Sequence, residues 1–170
     1  MIRGQLTVEI AIISDTHMPR GPRRLPEACV ARLRAADLIL HAGDLLTVSV
    51  LRELEALGAV VAVHGNVDDQ GVRAVLPAAT AVSADGHRIA MVHDAGPARG
   101  RMERMRRRFP KAEAVVFGHS HIPLHERAGD GFQIFNPGSP TERRRAPRHT
   151  MGVAHASGAG GLTFELIDLA

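Results

Sequence analysis

A layered α/β fold is predicted for this chain of 170 residues by three features. Segments rich in β-branched residues alternate with helical patterns through the first two thirds, and the last third is strand-like. Residue types that bind metals fall just after the predicted strands rather than inside them. The strand count suits a four-layer αββα sandwich, in which two mixed β-sheets pack face to face and helices flank them.

Thr7–Ser14 reads as a buried strand because its apolar run is broken only by Glu9. A loop rich in Pro and Arg follows, then a helix over Pro26–Ala36, with Pro26 suited to its first turn. Leu38–His41 is a short strand. Val48–Leu57 is a helix whose apolar positions Val50, Leu51, Leu54 and Leu57 share a face, and Gly58 ends it. Ala59–His64 is a third strand. This βαβαβ opening implies parallel strands joined by right-handed crossovers. Thr80–Ala84 and Arg88–His93 flank Asp85-Gly86, a hairpin signal. A helix over Ala98–Phe109 leads to strand Ala114–Phe117. Gln133–Phe135, Thr150–Ala156 and Leu162–Leu169 are further strands, the last two joined by a glycine-rich turn at Ser157–Gly161. Leu162, Phe164 and Leu166 alternate along one face of the last strand. Neither heptads, repeats nor a dividing linker is visible, so residues 1–170 read as one domain.

Composition narrows the function. Five Phe, no Tyr and no Trp leave little for an aromatic platform that stacks bases. Every Lys or Arg except Lys111 is Arg, yet net charge is only +3, which does not favour a nucleic-acid partner. Arg104, Arg106, Arg107 and Arg108 form one cluster and Arg143, Arg144, Arg145 and Arg148 another. The first reads as a solvated helix face and the second as an exposed loop, with phosphate contact as the competing reading. Cys29 is the sole cysteine, so neither an intramolecular disulfide nor a cysteine-based metal site can form. No run approaches the roughly 18 apolar residues of a membrane span, and Asp15 and His17 stand where a signal peptide would carry small residues. A cytoplasmic protein with no membrane partner is expected.

Asp15 and His17 follow the first strand, Asp44 the second and Asn66 the third. His93 ends a later strand, and His119 and His121 follow another. Strand carboxyl ends converge on one crevice in such sheets, so these groups can meet despite their spacing. If their segments are extended, Asp15 and His17 face one way, as do His119 and His121. Gly43, Gly65 and Gly118 would let the backbone bend beside them. Imidazole, carboxylate and amide ligands suit divalent Mn first, with Fe, Zn, Ni or Mg as alternatives. Seven ligands suit a pair of ions better than one tetrahedral ion, with Asp44 the simplest bridge. His41 and His64 read as packing residues near the site before residues that orient a ligand, and Asp68 as a turn residue before a support behind the ligands.

Asp15-x-His17, Gly43-Asp44, Gly65-Asn66-x-Asp68, His93 and Gly118-His119-x-His121 resemble, in this order, the calcineurin-like metallophosphoesterase superfamily. The short length and Asn136-Pro137-Gly138-Ser139 look most like its small bacterial and archaeal phosphodiesterase branch. The resemblance runs from about residue 8 to 168. It implies a first ion on Asp15, His17, Asp44 and His121, and a second on Asp44, Asn66, His93 and His119. It assigns catalytic importance to Asp44, Asn66 and His93, and implies the same four-layer sandwich. The expected reaction is in-line attack on a small phosphate ester, a phosphodiester before a monoester, by hydroxide bridging ions ~3.5–4 Å apart.

Two departures matter. Val67 stands where many relatives carry His after the motif Asn, so it cannot protonate a leaving group. His93-Asp94-Ala95 replaces a His-Gly-His, which puts substrate selection rather than metal binding in question. Two rival functions are a catalytically weak scaffold of the same fold and a nucleic-acid-processing phosphoesterase. A homo-oligomer is compatible with the sequence.

Overall fold

In the computed structural model, which describes residues 6–170, β1 (Val8–Ile13) is the middle strand of its sheet. Ile10 and Ile12 face the space between two sheets, whereas Ala11 and Ile13 face helices. Burial on both faces is why this strand carries an apolar run and not a polar–apolar alternation. α1 (Glu27–Ala35) starts immediately after Pro26 and buries Cys29 and Leu33. β2 (Leu38–His41) pairs parallel to β1. α2 (Val48–Glu55) buries Val50, Leu51 and Leu54 of the expected stripe and ends two residues early, which leaves Leu57 half-buried beyond it. β3 (Val60–Ala62) then pairs parallel to β2.

α3 (Gln70–Val75) is a short helix that the sequence reading does not contain. Asp69 caps it, its carboxylate accepting from Val72 N–H at 2.9 Å. β4 (Ala79–Ala84) and β5 (His87–Val92) form the expected hairpin. Asp85 and Gly86 both have positive φ, 43° and 83°, as a two-residue turn of this type requires. α4 (Arg101–Arg108) starts three residues later than predicted, after Gly100 at φ 72°. The preceding loop is held otherwise: the Arg104 guanidinium donates to the Ala95 and Pro97 carbonyls at 2.7 and 2.6 Å. Arg104 therefore fastens a loop and does not belong to a solvated face.

β6 (Ala114–Val116), β7 (Leu124–Arg127) and β8 (Gln133–Asn136) follow. β7 is a second element that the sequence reading lacks. It is an edge strand with three of its four residues exposed, so it shows little apolar pattern. β9 (His149–Ser157) and β10 (Gly161–Leu169) form a long antiparallel pair. Leu162 and Phe164 are buried as expected, but Leu166 is 37% exposed.

The sheets have the orders β10-β9-β1-β2-β3 and β4-β5-β6-β8-β7, each mixing parallel and antiparallel pairs. Between them lies a core built on Ile10, Ile12, Leu40, Ile89, Met91, Val116 and Phe135. Each fully buried side chain of this size contributes about 1.5–3 kcal/mol. A second apolar layer joins the first sheet to α1 and α2, and a third joins the second sheet to α4 through Met105. These are the four layers αββα. Parallel strands of both sheets end at one rim, where Asp15 N–H donates to the Gly43 carbonyl and Gly118 N–H to that of His93.

Candidate metal centre

The loops at this rim carry the predicted residues. Eight non-glycine residues among those described have positive φ, and Asp15, His17, Asp44, His119 and His121 account for five. Such conformations cost of order 1–3 kcal/mol each and persist where the surroundings impose them, typically at functional sites. They also correct the reading of Asp15/His17 and His119/His121 as extended pairs. The paired residues sit at left-handed turns, so turn geometry aims them, not pleat alternation.

Asp15, His17, Asp44, His93 and His121 are buried, while Asn66 and His119 stand open to solvent. Asp44 Oδ2 lies 3.3 Å from His17 Nε2 and 3.1 Å from His93 Nε2. Asp15 Oδ1 lies 3.4 Å from His121 Nε2, 3.8 Å from His93 Nε2 and 3.9 Å from His17 Nε2. Asn66 Oδ1 is 3.0 Å from His93 Nε2 and 3.1 Å from His119 Nδ1. All seven predicted residues thus meet in one place.

Each carboxylate keeps one oxygen for the protein and turns the other inward. Asp15 Oδ2 accepts from Ser14 Oγ at 2.7 Å and His119 N–H at 3.0 Å. Asp44 Oδ1 accepts from Val67 N–H at 2.9 Å. The imidazoles are anchored in the same way. His93 Nδ1 donates to the Ala42 carbonyl at 2.7 Å and His121 Nδ1 to the Glu142 carbonyl. His17 Nδ1 faces Glu142 Oε2 at 2.8 Å. Hydrogen bonds hold Nδ1 of His93 and His121, that of His17 lies against Glu142 without one, and Nε2 of all three rings is aimed at the centre, the arrangement of metal-ligating histidines.

Glu142 supports the site, and the sequence reading does not contain it. It faces His17 with one oxygen and holds Arg23 with the other at 2.8 Å. Nothing local signals it, except that it lies three residues beyond the singled-out Ser139. Ser139 Oγ donates to the Asp15 carbonyl and accepts from Glu142 N–H, both at 2.9 Å. Asp68 is more than a turn residue. Its buried carboxylate accepts from Asp44, Gly65 and Leu46 N–H at 3.0, 2.6 and 2.7 Å, joining two ligand loops. His41 likewise does more than pack. Its Nδ1 accepts from Gly43 N–H at 3.1 Å, so Nε2 carries the proton and donates to Thr16 Oγ1 at 3.0 Å. His64 remains half-buried, with Nδ1 unpaired.

The glycines are explained more by space than by bending. A Cβ on Gly65 would overlap Asp44 Oδ1, and one on Gly118 would overlap Ser14 Oγ. Only Gly43 of the three has positive φ, 102°.

Titration reflects this crowding. Burial pushes the Asp15 carboxyl up against the lowering influence of His93 and His121. Burial also opposes ionisation of Asp44, but His17 and His93 hold it well below the usual carboxylate range. His93 is lowered by burial and raised more by Asp44 and Asp15, reaching about 9. Burial lowers His121 and takes His41 down to about 3.

Asp15 Oδ1, His17 Nε2 and His121 Nε2 are buried with no hydrogen-bond partner. Each unpaired atom costs about 1–3 kcal/mol. Ligand atoms of Asp15, His17 and His121 lie within 4.8 Å of one another, as do those of Asp15, Asp44 and His93. A divalent cation fits this donor set and would satisfy the unpaired atoms.

Known proteins agree with this chemistry. The model of the calcineurin-like phosphoesterase superfamily domain matches residues 8–159. A probable metallophosphoesterase of Methanothermobacter thermautotrophicus is 36% identical over 138 residues, spanning 79% of this chain and 78% of that protein. A Thermotoga maritima protein solved in solution superposes with a TM-score of 0.74 at 28% identity, covering 95% of this chain and 99% of its own. Vacuolar Protein Sorting 29 from Cryptosporidium parvum shares the fold, with a TM-score of 0.78 at 18% identity over 96% of this chain and 98% of its own. No described helix is long and apolar enough to cross a membrane. On the matched model, the similar archaeal protein and the clusters able to hold a metal together, the chain belongs to the calcineurin-like phosphoesterase superfamily and is a metal-dependent phosphoesterase.

Proposed function

We propose that the chain holds two divalent ions and hydrolyses phosphodiesters in preference to monoesters. Asp15, His17, Asp44 and His121 would hold one ion, and Asp44, Asn66, His93 and His119 the other. The observation that carries this reading is the group of unpaired buried atoms, Asp15 Oδ1, His17 Nε2 and His121 Nε2. Asp44 Oδ2 supports the sharing, since it lies between His17 and His93. When bound, two ions lower the pKa of water and neutralise charge on the phosphoryl oxygens. Manganese suits the mixed imidazole, carboxylate and amide donors.

The protein's own groups organise the rest. Glu142, Ala42 and Asp68 fix the ring and loop orientations, so the ligands are set before substrate arrives. Asn66 and His119 face solvent and form the side that an ester approaches. Val67, 37% exposed beside Asn66, offers no proton to a departing oxygen. Activated diesters with good leaving groups are therefore preferred.

Elemental analysis of manganese-reconstituted protein tests the proposal, alongside hydrolysis of bis(4-nitrophenyl) phosphate. The expected result is two ions per chain and a loss of both occupancy and activity, by about 10³-fold or more, in Asp44→Asn. A stable single ion, unaffected by Asp44→Asn, would refute the shared carboxylate.

A further inference from the structure

We propose that the open depression beside His121 is a subsite for a second phosphate carried by the substrate, a class narrower than diesters in general; it rests on the hydrolytic reading above. Ser120, Ile122, Arg144 and Arg145 line this depression of about 570 Å³. Ser120 and Ile122 flank His121 in the chain, so the depression lies beside the loop that carries this predicted ligand.

Its donors are available. Ser120 Oγ already accepts from Asn136 Nδ2 at 3.1 Å and Ile122 N–H at 3.2 Å, which leaves its own proton to donate. Arg144 and Arg145 are exposed and pair with no carboxylate among the described residues. The neighbouring acid, Glu142, is bound by Arg23 through Oε1 and turns Oε2 onto His17, away from this pair. The two arginines stand at the tip of a closed turn. Ala146 N–H donates to the Arg143 carbonyl at 2.8 Å, and Arg143 Nη1 donates to the Ala146 carbonyl at 2.9 Å. Arg144 itself is held at φ 48°. A turn fixed in this way presents both guanidinium groups with less ordering still to be done on binding.

Ile122, 46% exposed, gives the depression an apolar wall against which an organic spacer between two phosphates can lie. The rest of the arginine cluster argues against a long polyanion. Arg143 is turned onto a carbonyl and Arg148 pairs with Asp168 at 3.6 Å, so two of the four cations remain. Two guanidinium groups and a hydroxyl match one phosphate group; charge-assisted bonds to it are roughly twice as strong as neutral ones.

The test compares thymidine 5′-(4-nitrophenyl phosphate) with its 3′-phosphorylated analogue, which share the scissile bond and leaving group. The analogue is expected to show a kcat/KM about tenfold higher at low ionic strength. Arg144→Gln/Arg145→Gln should abolish that advantage while leaving the simpler ester within about twofold. Calorimetry on manganese-loaded protein, with thymidine 3′,5′-bisphosphate against thymidine 5′-phosphate, reads the same preference without turnover. An arginine-dependent preference in binding, with neither ester hydrolysed, would uphold the subsite and remove the hydrolytic reading. Hydrolysis with no preference for the second phosphate, or a preference that survives the double substitution, would overturn the subsite. Binding that grows with oligonucleotide length and falls steeply with salt would also overturn it, in favour of nucleic acid.

Discussion

The two halves of the metal centre are built differently. In the inner half, Asp15 and His121 are wholly buried and His17 is 2% exposed, and each directs an unpaired atom inward. In the outer half, the His119 side chain is 46% exposed and Asn66 is open to solvent. There the polar atoms pair with one another, Asn66 Oδ1 standing between His93 and His119. On the proposed two-ion reading, an ion entering the inner half would find its side chains already ordered and would relieve unmet polar groups. One entering the outer half must displace hydrogen bonds and immobilise exposed side chains. Equal ligand numbers therefore need not mean equal affinity, and the inner half should bind more tightly.

The largest test of that contrast removes one histidine from each half. His121→Ala should lower metal affinity of the inner half by more than about 10²-fold, beyond the loss typical of an outer-sphere partner, and abolish hydrolysis. His119→Ala should spare one tightly held ion and empty the other at micromolar metal. Metal titration followed by elemental analysis decides, and equal losses in the two variants would break the comparison.

Val67, on the open side, offers the next effect. Val67→His would supply a proton where none is available, and general acid catalysis is typically worth ~10²–10⁴-fold. Alkyl diesters should gain about 10²-fold, at the low end of that range, and activated aryl diesters little, which flattens the dependence on leaving-group pKa. A flat dependence already present in the unaltered protein would mean that another residue provides the proton.

Glu142→Gln sharpens the comparison from the side of the supports. It removes the carboxylate that faces His17, and outer partners of this kind are worth roughly 10–100-fold in metal affinity. Asp94→Asn, which touches the outer half only through His119 at 3.9 Å, should have a smaller effect. Competition with a chelator measures both.

The smallest effect concerns pH in the metal-free protein. His41 is lowered from 6.5 to about 3 by burial and by the charge of His93. Between those values the unfolded chain takes up a proton that the native ring refuses. Stability should therefore be lost as pH falls from about 6.5 toward 3. His41→Asn should show a shallower fall over that window in urea denaturation, at some cost at neutral pH through the lost bonds to Gly43 and Thr16. An unchanged slope would mean that His41 takes up its proton equally in both states.

Much of this was legible in the residues themselves. The alternation of apolar strands with helical stripes, the Asp85-Gly86 turn and the placement of ligand types after strands depend on local pattern, which a chain carries wherever it folds. Elements too short or too exposed to carry a period, such as α3 and β7, were not legible. Nor was the role of Arg104, since a cation in a basic run looks solvated until the loop carbonyls it binds are known. The burial contrast between the two halves, the positive φ at five of the seven predicted ligands and the support from Glu142 and Asp68 belong to the tertiary structure. They arise when two sheets end at one rim and bring together residues up to 127 positions apart, counting from Asp15 to Glu142. The sequence determined which groups could bind a metal; only the packing of the sheets decided which of them would be fixed, buried and left unpaired, because those properties belong to the surroundings of an atom and not to the residue that carries it.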